Sequence, residues 1–498
     1  MNRAERRRQE RLNKNQEKKG KPAREDRPVT DSATLFRRAV EYHQIGRLRE
    51  AEKSYQQILV AHPNHFDTLN NLGLIAKAGG NLDGAVNMLR RALKVNPGSV
   101  EAHNNLGVTL HEQNKVSAAI TAYRDALAIN PESADVNHNL GFALHETGDL
   151  DSAISYYQRA LELSPDFTDA HINLGIAWKD KGDAAQAEAS YRHALETDPS
   201  SAEALNNLGH VLESKGQAED AIDCLNRALE LNHNYPEAHN NLGNAYKSVM
   251  RLDDAVAAYR QAIRQRPGYA SAHNNLGNVL IEQSKLNEAE SSVREAIRLR
   301  PDRAMAYVTL ANLYMARAKT LHLGEAETAA RKAVELDPDL AEARRLLSLV
   351  LVRAKKFDDA AREAAKATQL SPSSADLKAN LADVYLRSGR TEEAEAAARS
   401  AIELAPEHAE AHFLLGEALA SQGNREAAVD AFDVCHKDLS YNQTNCLAAK
   451  TIALQLVGRG LEADYLTDFD GLISNSRMDD PSPYGSVAEF NEALAQEV

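Results

Sequence analysis

Prolines recur along this chain with a fixed step. Pro63, Pro97, Pro131, Pro165 and Pro199 stand 34 residues apart, and Pro267 and Pro301 keep the register after one double step that has His233 at the skipped place. The step to Pro338 is 37 residues, so three are inserted, and Pro372 and Pro406 restore the period of 34. Proline has no amide hydrogen for a helix interior and disfavours helix in the residue before it. A stop every 34 residues leaves room for two short helices and their turns. A chain of 498 residues exceeds what one core usually encloses. An array whose units pack only on their neighbours removes that limit. Residue usage agrees: Ala, Leu, Glu and Arg dominate and aromatics are 5%. Those four are good helix formers. The alternating Val, Ile and Thr runs of strands are missing.

The stretch from Thr168 shows how each unit is built. Leu174 and Trp178, four residues apart, share one face of a first helix. Gly175 allows a partner helix to come close, and Gly182 ends the first helix where a residue without Cβ can turn. Ala187 and Ala194 are small contacts of a second helix, Tyr191 fills the space between the two, and Pro199 stops it. This 34-residue Leu-Gly, Ala, Tyr, Ala, Pro pattern resembles the tetratricopeptide repeat (TPR). Twelve repeats are expected, starting at residues 32, 66, 100, 134, 168, 202, 236, 270, 304, 341, 375 and 409. The resemblance implies an all-α fold, a right-handed superhelical α-solenoid of helix-turn-helix units.

Five segments follow. Residues 1–31 form a basic arm; 32–303 hold repeats one to eight; 304–442 hold repeats nine to twelve. Residues 443–466 make a capping helical pair, and 467–498 a linker with a short terminal helix. In repeats nine to eleven the packing Tyr becomes Ala330, Ala364 and Ala398, and the Lys319–Gly324 insertion marks the border.

One feature exceeds what the fold requires. Counting from the first residue of each repeat, position 6 of repeats two to eight is Asn71, Asn105, Asn139, Asn173, Asn207, Asn241 and Asn275. Asparagine is a poor helix residue, so seven in register ask for a reason. Position 2, four residues earlier on the same stripe, is acidic in six repeats: Asp67, Glu101, Asp135, Asp169, Glu203 and Glu237. An amide offers donors and an acceptor together and can pair with a peptide main chain whatever its side chains. The ladder resembles the repeat region of the O-linked N-acetylglucosamine transferases. That resemblance implies first helices lining a concave groove, with the asparagines holding the backbone of protein substrates. Position 6 then turns to Thr309, with Asn380 an isolated later member.

The expected function is therefore protein–protein interaction: binding extended partner segments in the groove. No complete catalytic constellation accompanies it, so no enzyme activity, cofactor or metal is expected. His436 and Asp438 mimic half of an iron triad, but no histidine follows them. Asp468 and Asp470 mimic a glycosyltransferase metal motif without a nucleotide-binding sheet. His111-Glu112 and His145-Glu146 lack the second histidine of a zinc motif. His103, His171, His239, His273 and His412 all fall at position 4, which points to a role on the helix surface. Cys224, Cys435 and Cys446 are too few and too scattered for a disulfide framework and fit a reducing, cytoplasmic setting. No run of eighteen apolar residues could span a membrane.

Residues 1–27 carry a net charge of +6 in a chain of −14. Without interleaved aromatics they read as a solubilising arm, and nucleic acid is not an expected partner beyond that arm. Near the C-terminus, Ser486-Val-Ala-Glu489 opens a helix through Phe490 to Leu494 that reaches Val498 without a stop signal. This stretch resembles the junction in bacterial TPR proteins fused to a 2-oxoglutarate/Fe(II) oxygenase. The alternative it implies is the substrate-recruiting part of an enzyme, an oxygenase or a glycosyltransferase.

Overall fold

A computed structural model of the chain describes residues 32–317, 322–437 and 443–459. The basic arm, Asp438, Asp468, Asp470, the end of the expected capping pair and the C-terminal linker and helix lie outside them. Packing divides the chain into two compact units, Met1–Asn232 and His233–Val498, and each stands by itself below. The expected change of character at residue 304 falls inside the second unit.

All described secondary structure is helical, from Ser32–Gln44 to Gln443–Leu456. First helices begin at Ser32, Phe66, Val100, Ala134, Thr168 and Ala202 in the first unit and at Pro236, Ala270, Ala304, Ala341, Ala375 and Ala409 in the second. These are the twelve starts expected from the period. Second helices end two residues before each proline, as Leu82–Val95 does before Pro97. The fold is an all-α solenoid of helix-turn-helix pairs.

The turn inside each pair sits at position 15. Gly182 takes φ +89° there, and Asn114, Met250, Ser284 and Lys355 take φ of +58° to +59°. This left-handed conformation costs most residues about 1–2 kcal/mol, which explains glycine at 46, 80, 148, 216, 389 and 423 in other repeats. First helices open with caps where the sequence supplies them: Ser99 Oγ accepts from the amide of Ala102, and Ser201 Oγ from that of Ala204.

The core repeats with the same period. Position 8 is glycine in repeats two to eight and twelve, where a Cβ would crowd the side chain at position 24; repeat one instead has Ala39 there, with Tyr55 at position 24. At Gly175 the Cβ would lie 2.5 Å from Cε1 of Tyr191, whose ring is fully buried. Gly107 and Tyr123, and Gly243 and Tyr259, repeat the fit. Where a smaller or different side chain replaces tyrosine the glycine can stay, as Gly73 does beside Leu89 and Gly277 beside Val293; in repeats nine to eleven both change, to Ala311 and Ala330, Ser348 and Ala364, and Ala382 and Ala398, all fully buried. Within each unit, first helices of successive repeats touch one another in addition to their own partners. That tighter stacking makes the first-helix side the inner side of each unit.

One sequence expectation changes and a second becomes specific. Cys435 and Cys446 are brought together as a disulfide pair with Cα atoms 6.1 Å apart, joining Arg425–Lys437 to Gln443–Leu456. Eleven residues separate them in sequence, but two antiparallel helices fold them onto each other. The histidines at position 4 lock turns: Nε2 of His103, His171, His273 and His412 donates to the carbonyls of Pro97, Pro165, Pro267 and Pro406 at 2.7–3.0 Å. Asn137 and Arg344 do the same to Pro131 and Pro338. Each lock ties a first helix to the turn before it.

Candidate functional site

The seven ladder asparagines all lie on first helices and all are half-buried. Their amides are organised by packing between repeats. In the first unit, Asn105 Nδ2 donates to Asn70 Oδ1 at 3.2 Å, and Asn139 Nδ2 to Asn104 Oδ1 at 3.0 Å. Asn173 Nδ2 lies 2.9 Å from Nε2 of His138. In the second unit, Asn275 Nδ2 donates to Asn240 Oδ1 and Asn244 Oδ1, both at 3.1 Å. Position 6 of one repeat thus meets position 5 of the repeat before, a separation of 35 residues. Asn71 has Phe36 at that place and donates instead to the Tyr55 hydroxyl at 3.1 Å. Asn207 Oδ1 accepts from Asn206 at 3.3 Å, and Asn241 Oδ1 from Asn240 at 3.5 Å.

Three further rows run beside the amides. At position 2, Asp67, Glu101, Asp135, Asp169 and Glu203 are exposed, and Glu101 accepts from Asn70 at 2.9 Å. Glu237, in the second unit, pairs with Arg266 at 2.7 Å. At position 9 of the first unit stand Leu74, Val108, Phe142 and Ile176, with Phe142 38% exposed. A row of uncharged side chains therefore borders the amides on the side away from the acids. Beyond it, position 12 pairs with position 13 of the next repeat: Lys77 with Glu112 at 3.1 Å, His111 with Glu146, His145 with Asp180 at 2.9 Å, and Lys247 with Glu282 at 3.1 Å. This places His111 and His145 in inter-repeat pairs. Among the described residues no group of three or more His, Cys, Asp or Glu side chains could hold a metal ion.

Burial pushes the imidazoles of His138, His171, His210 and His239 below their ordinary range. His138 therefore stays neutral near pH 7 and can accept from Asn173. The 12-to-13 pairs escaped the sequence reading because their period of 35 is out of step with the repeat of 34. The signal was present as a basic residue at position 12 followed by an acid 35 places on.

Helix pairs that recur with a fixed period and bury a shared core define a helical-repeat protein. Tetratricopeptide-repeat profiles match residues 36–86, 71–134, 309–375 and 380–434, and a second such profile matches 351–400. The chain is a tetratricopeptide-repeat protein. Residues 128–321 are similar to the family described as the C-terminal domain of cilia and flagella-associated protein 70. No curated protein matches the chain.

Similar solved structures include YrrB, described as a TPR protein with an unusual peptide-binding site, at 28% identity. It covers 38% of this chain and 96% of its own, with a TM-score of 0.32. The Cut9–Hcn1 tetramer of the APC/C is 13% identical over 86% of this chain and 97% of its own, with a TM-score of 0.47. PilF of Pseudomonas aeruginosa is 23% identical over 42% and 94%, with a TM-score of 0.38. No helix among the described residues is long and apolar enough to cross a membrane.

Proposed function

We propose that this chain binds extended segments of partner proteins along its first-helix face, with Asn71, Asn105, Asn139, Asn173, Asn207, Asn241 and Asn275 reading the partner's main chain. The observation that carries this is the unbroken register of seven half-buried amides, of which Asn71, Asn105, Asn139, Asn173 and Asn275 are orientated by bonds to the preceding repeat. An amide held by one donor keeps further hydrogen-bonding capacity, and its rotamer entropy is already spent before a ligand arrives. Repeats pack about 10 Å apart and an extended strand rises about 3.3 Å per residue. One rung then meets roughly every third residue. Strand side chains alternate, so some face the position 2 acids and others the apolar row at position 9. The chain acts by holding proteins, and its repeats perform no chemistry.

The test replaces Asn139, Asn173, Asn207 and Asn241 by alanine. Fluorescent ten-residue peptides of three unrelated sequences, selected from a degenerate pool for binding to the wild type, are titrated against both proteins. Each hydrogen bond contributes about 0.5–1.5 kcal/mol net, so affinity should fall by a few kcal/mol and alike for all three. The sequence alone suggests that folding changes little, because alanine is the better helix former. The structure modifies this, since Asn139 and Asn173 also bond the preceding repeats. A melting curve sets a temperature at which the variant is folded. Unchanged affinity there refutes the reading.

A further inference from the structure

In both units the amide at position 5 is satisfied from the next repeat. Asn70 Oδ1 accepts from Asn105 while its Nδ2 donates to the position 2 acid Glu101, and Asn240 Oδ1 accepts from Asn275. The pattern runs out at Asn274. The next repeat has Thr309 at position 6, whose hydroxyl turns back to the carbonyl of Met305 at 3.1 Å, and Met305 itself occupies position 2. Both groups that would have satisfied Asn274 are therefore replaced. Its Oδ1 is buried and has no hydrogen-bond partner among the described residues. A buried acceptor left unmade is costly, so its persistence asks for a ligand.

The space where the missing rung would stand is open. A cavity of about 240 Å³ is lined by Asn274, Asn275, Asn278, Ser271, Arg303 and Met305, among others. Asn275 is committed to Asn240 and Asn244. Arg303 is exposed, and its guanidinium has no ion pair or hydrogen bond among the described residues. The cavity therefore presents one buried acceptor and a strong donor that cannot accept, with Ser271 and Asn278, which can do either, in the same wall.

A carboxylate would satisfy the guanidinium but place a second acceptor against Asn274 Oδ1. An alkyl group offers neither function, and a hydroxyl must donate and accept through a single oxygen. A primary carboxamide fits: its N–H donates to Asn274 Oδ1, as the position 6 asparagine does elsewhere, and its oxygen accepts from Arg303. We propose that this cavity is a specificity pocket for an asparagine or glutamine side chain of the bound partner, which supplies the missing rung. The pocket deepens the groove function and rests on it for biological meaning, but its chemistry can be tested alone.

The test uses the full chain with ¹⁵N-labelled asparagine, observed through its side-chain NH₂ signals, with the Asn274→Ala, Asn278→Ala and Arg303→Ala variants used for assignment and control. Three probes are added at millimolar concentration: the N-acetyl, N-methylamide derivatives of glutamine, glutamate and alanine. The glutamine derivative should shift the Asn274 and Asn278 signals with an apparent Kd about tenfold below that of the other two, the ratio expected for one satisfied buried acceptor. Arg303→Ala, an exposed change that leaves the fold intact, should erase the difference. Equal shifts from all three probes, a stronger response to glutamate, or none from glutamine overturns the proposal. Failure of the peptide titration with the ladder variant, with the glutamine shifts intact, would sink the groove reading and leave the pocket standing. The converse result would do the opposite.

Discussion

Gly175→Ala separates helix propensity from packing. Alanine is the better helix residue by about 1 kcal/mol, so propensity alone predicts a gain. In the structure the new Cβ would lie 2.5 Å from Cε1, 2.8 Å from Cδ1 and 2.9 Å from Cζ of Tyr191. That ring is fully buried and has no free space to enter. Overpacking of this kind costs about 1–3 kcal/mol, so the substitution should destabilise by roughly 1 kcal/mol net. Tyr191→Ala alone opens a cavity and should cost about 3–5 kcal/mol, as other aromatic truncations do. In that background the ring is gone, and Gly175→Ala should become stabilising by about 1 kcal/mol. The coupling between the two sites is then about 2 kcal/mol. The pairs Ala311–Ala330 and Ala382–Ala398 are this double replacement already present in the array. Trp178, the one tryptophan of the chain, sits on the same helix as Gly175 and reports on that repeat by fluorescence during denaturant unfolding. An equal cost of Gly175→Ala in both backgrounds would refute the steric account of position 8.

Met250 holds φ +59° with its side chain 72% exposed, so Met250→Gly should raise stability by about 0.5–1 kcal/mol in a thermal scan. Asn114→Gly, at φ +58°, should gain less, because asparagine tolerates this conformation. Burial lowers the His138 pKa, so the unfolded chain binds more protons in acid. The stability it contributes is full above the unfolded value of about 6.5 and is lost as pH falls from there towards the folded pKa. His138→Asn, which recreates the Asn–Asn pairing of neighbouring repeats, should flatten the melting profile between about pH 7 and pH 5. An unchanged slope would exclude His138 as its source.

Much of this fold is legible in one dimension because each repeat carries its own instructions. The proline stop, the glycine at position 15, the glycine–tyrosine fit and the small alanines all act within 34 residues, so helix starts follow from the period. The register of Asn71 to Asn275 is legible for the same reason. Only tertiary structure decides what those amides touch. Successive first helices stack one residue out of step, so Asn105 meets Asn70 and Lys77 meets Glu112 at a separation of 35. That offset follows from how side chains interlock across neighbouring helices, which no single repeat encodes. The pairing of Cys435 with Cys446 likewise depends on the packing of Arg425–Lys437 against Gln443–Leu456. The orphaned Oδ1 of Asn274 follows from its next-repeat neighbours, Met305 and Thr309, lying opposite it. Sequence determined the repeat and its register, while packing between neighbouring repeats determined which of their polar groups meet.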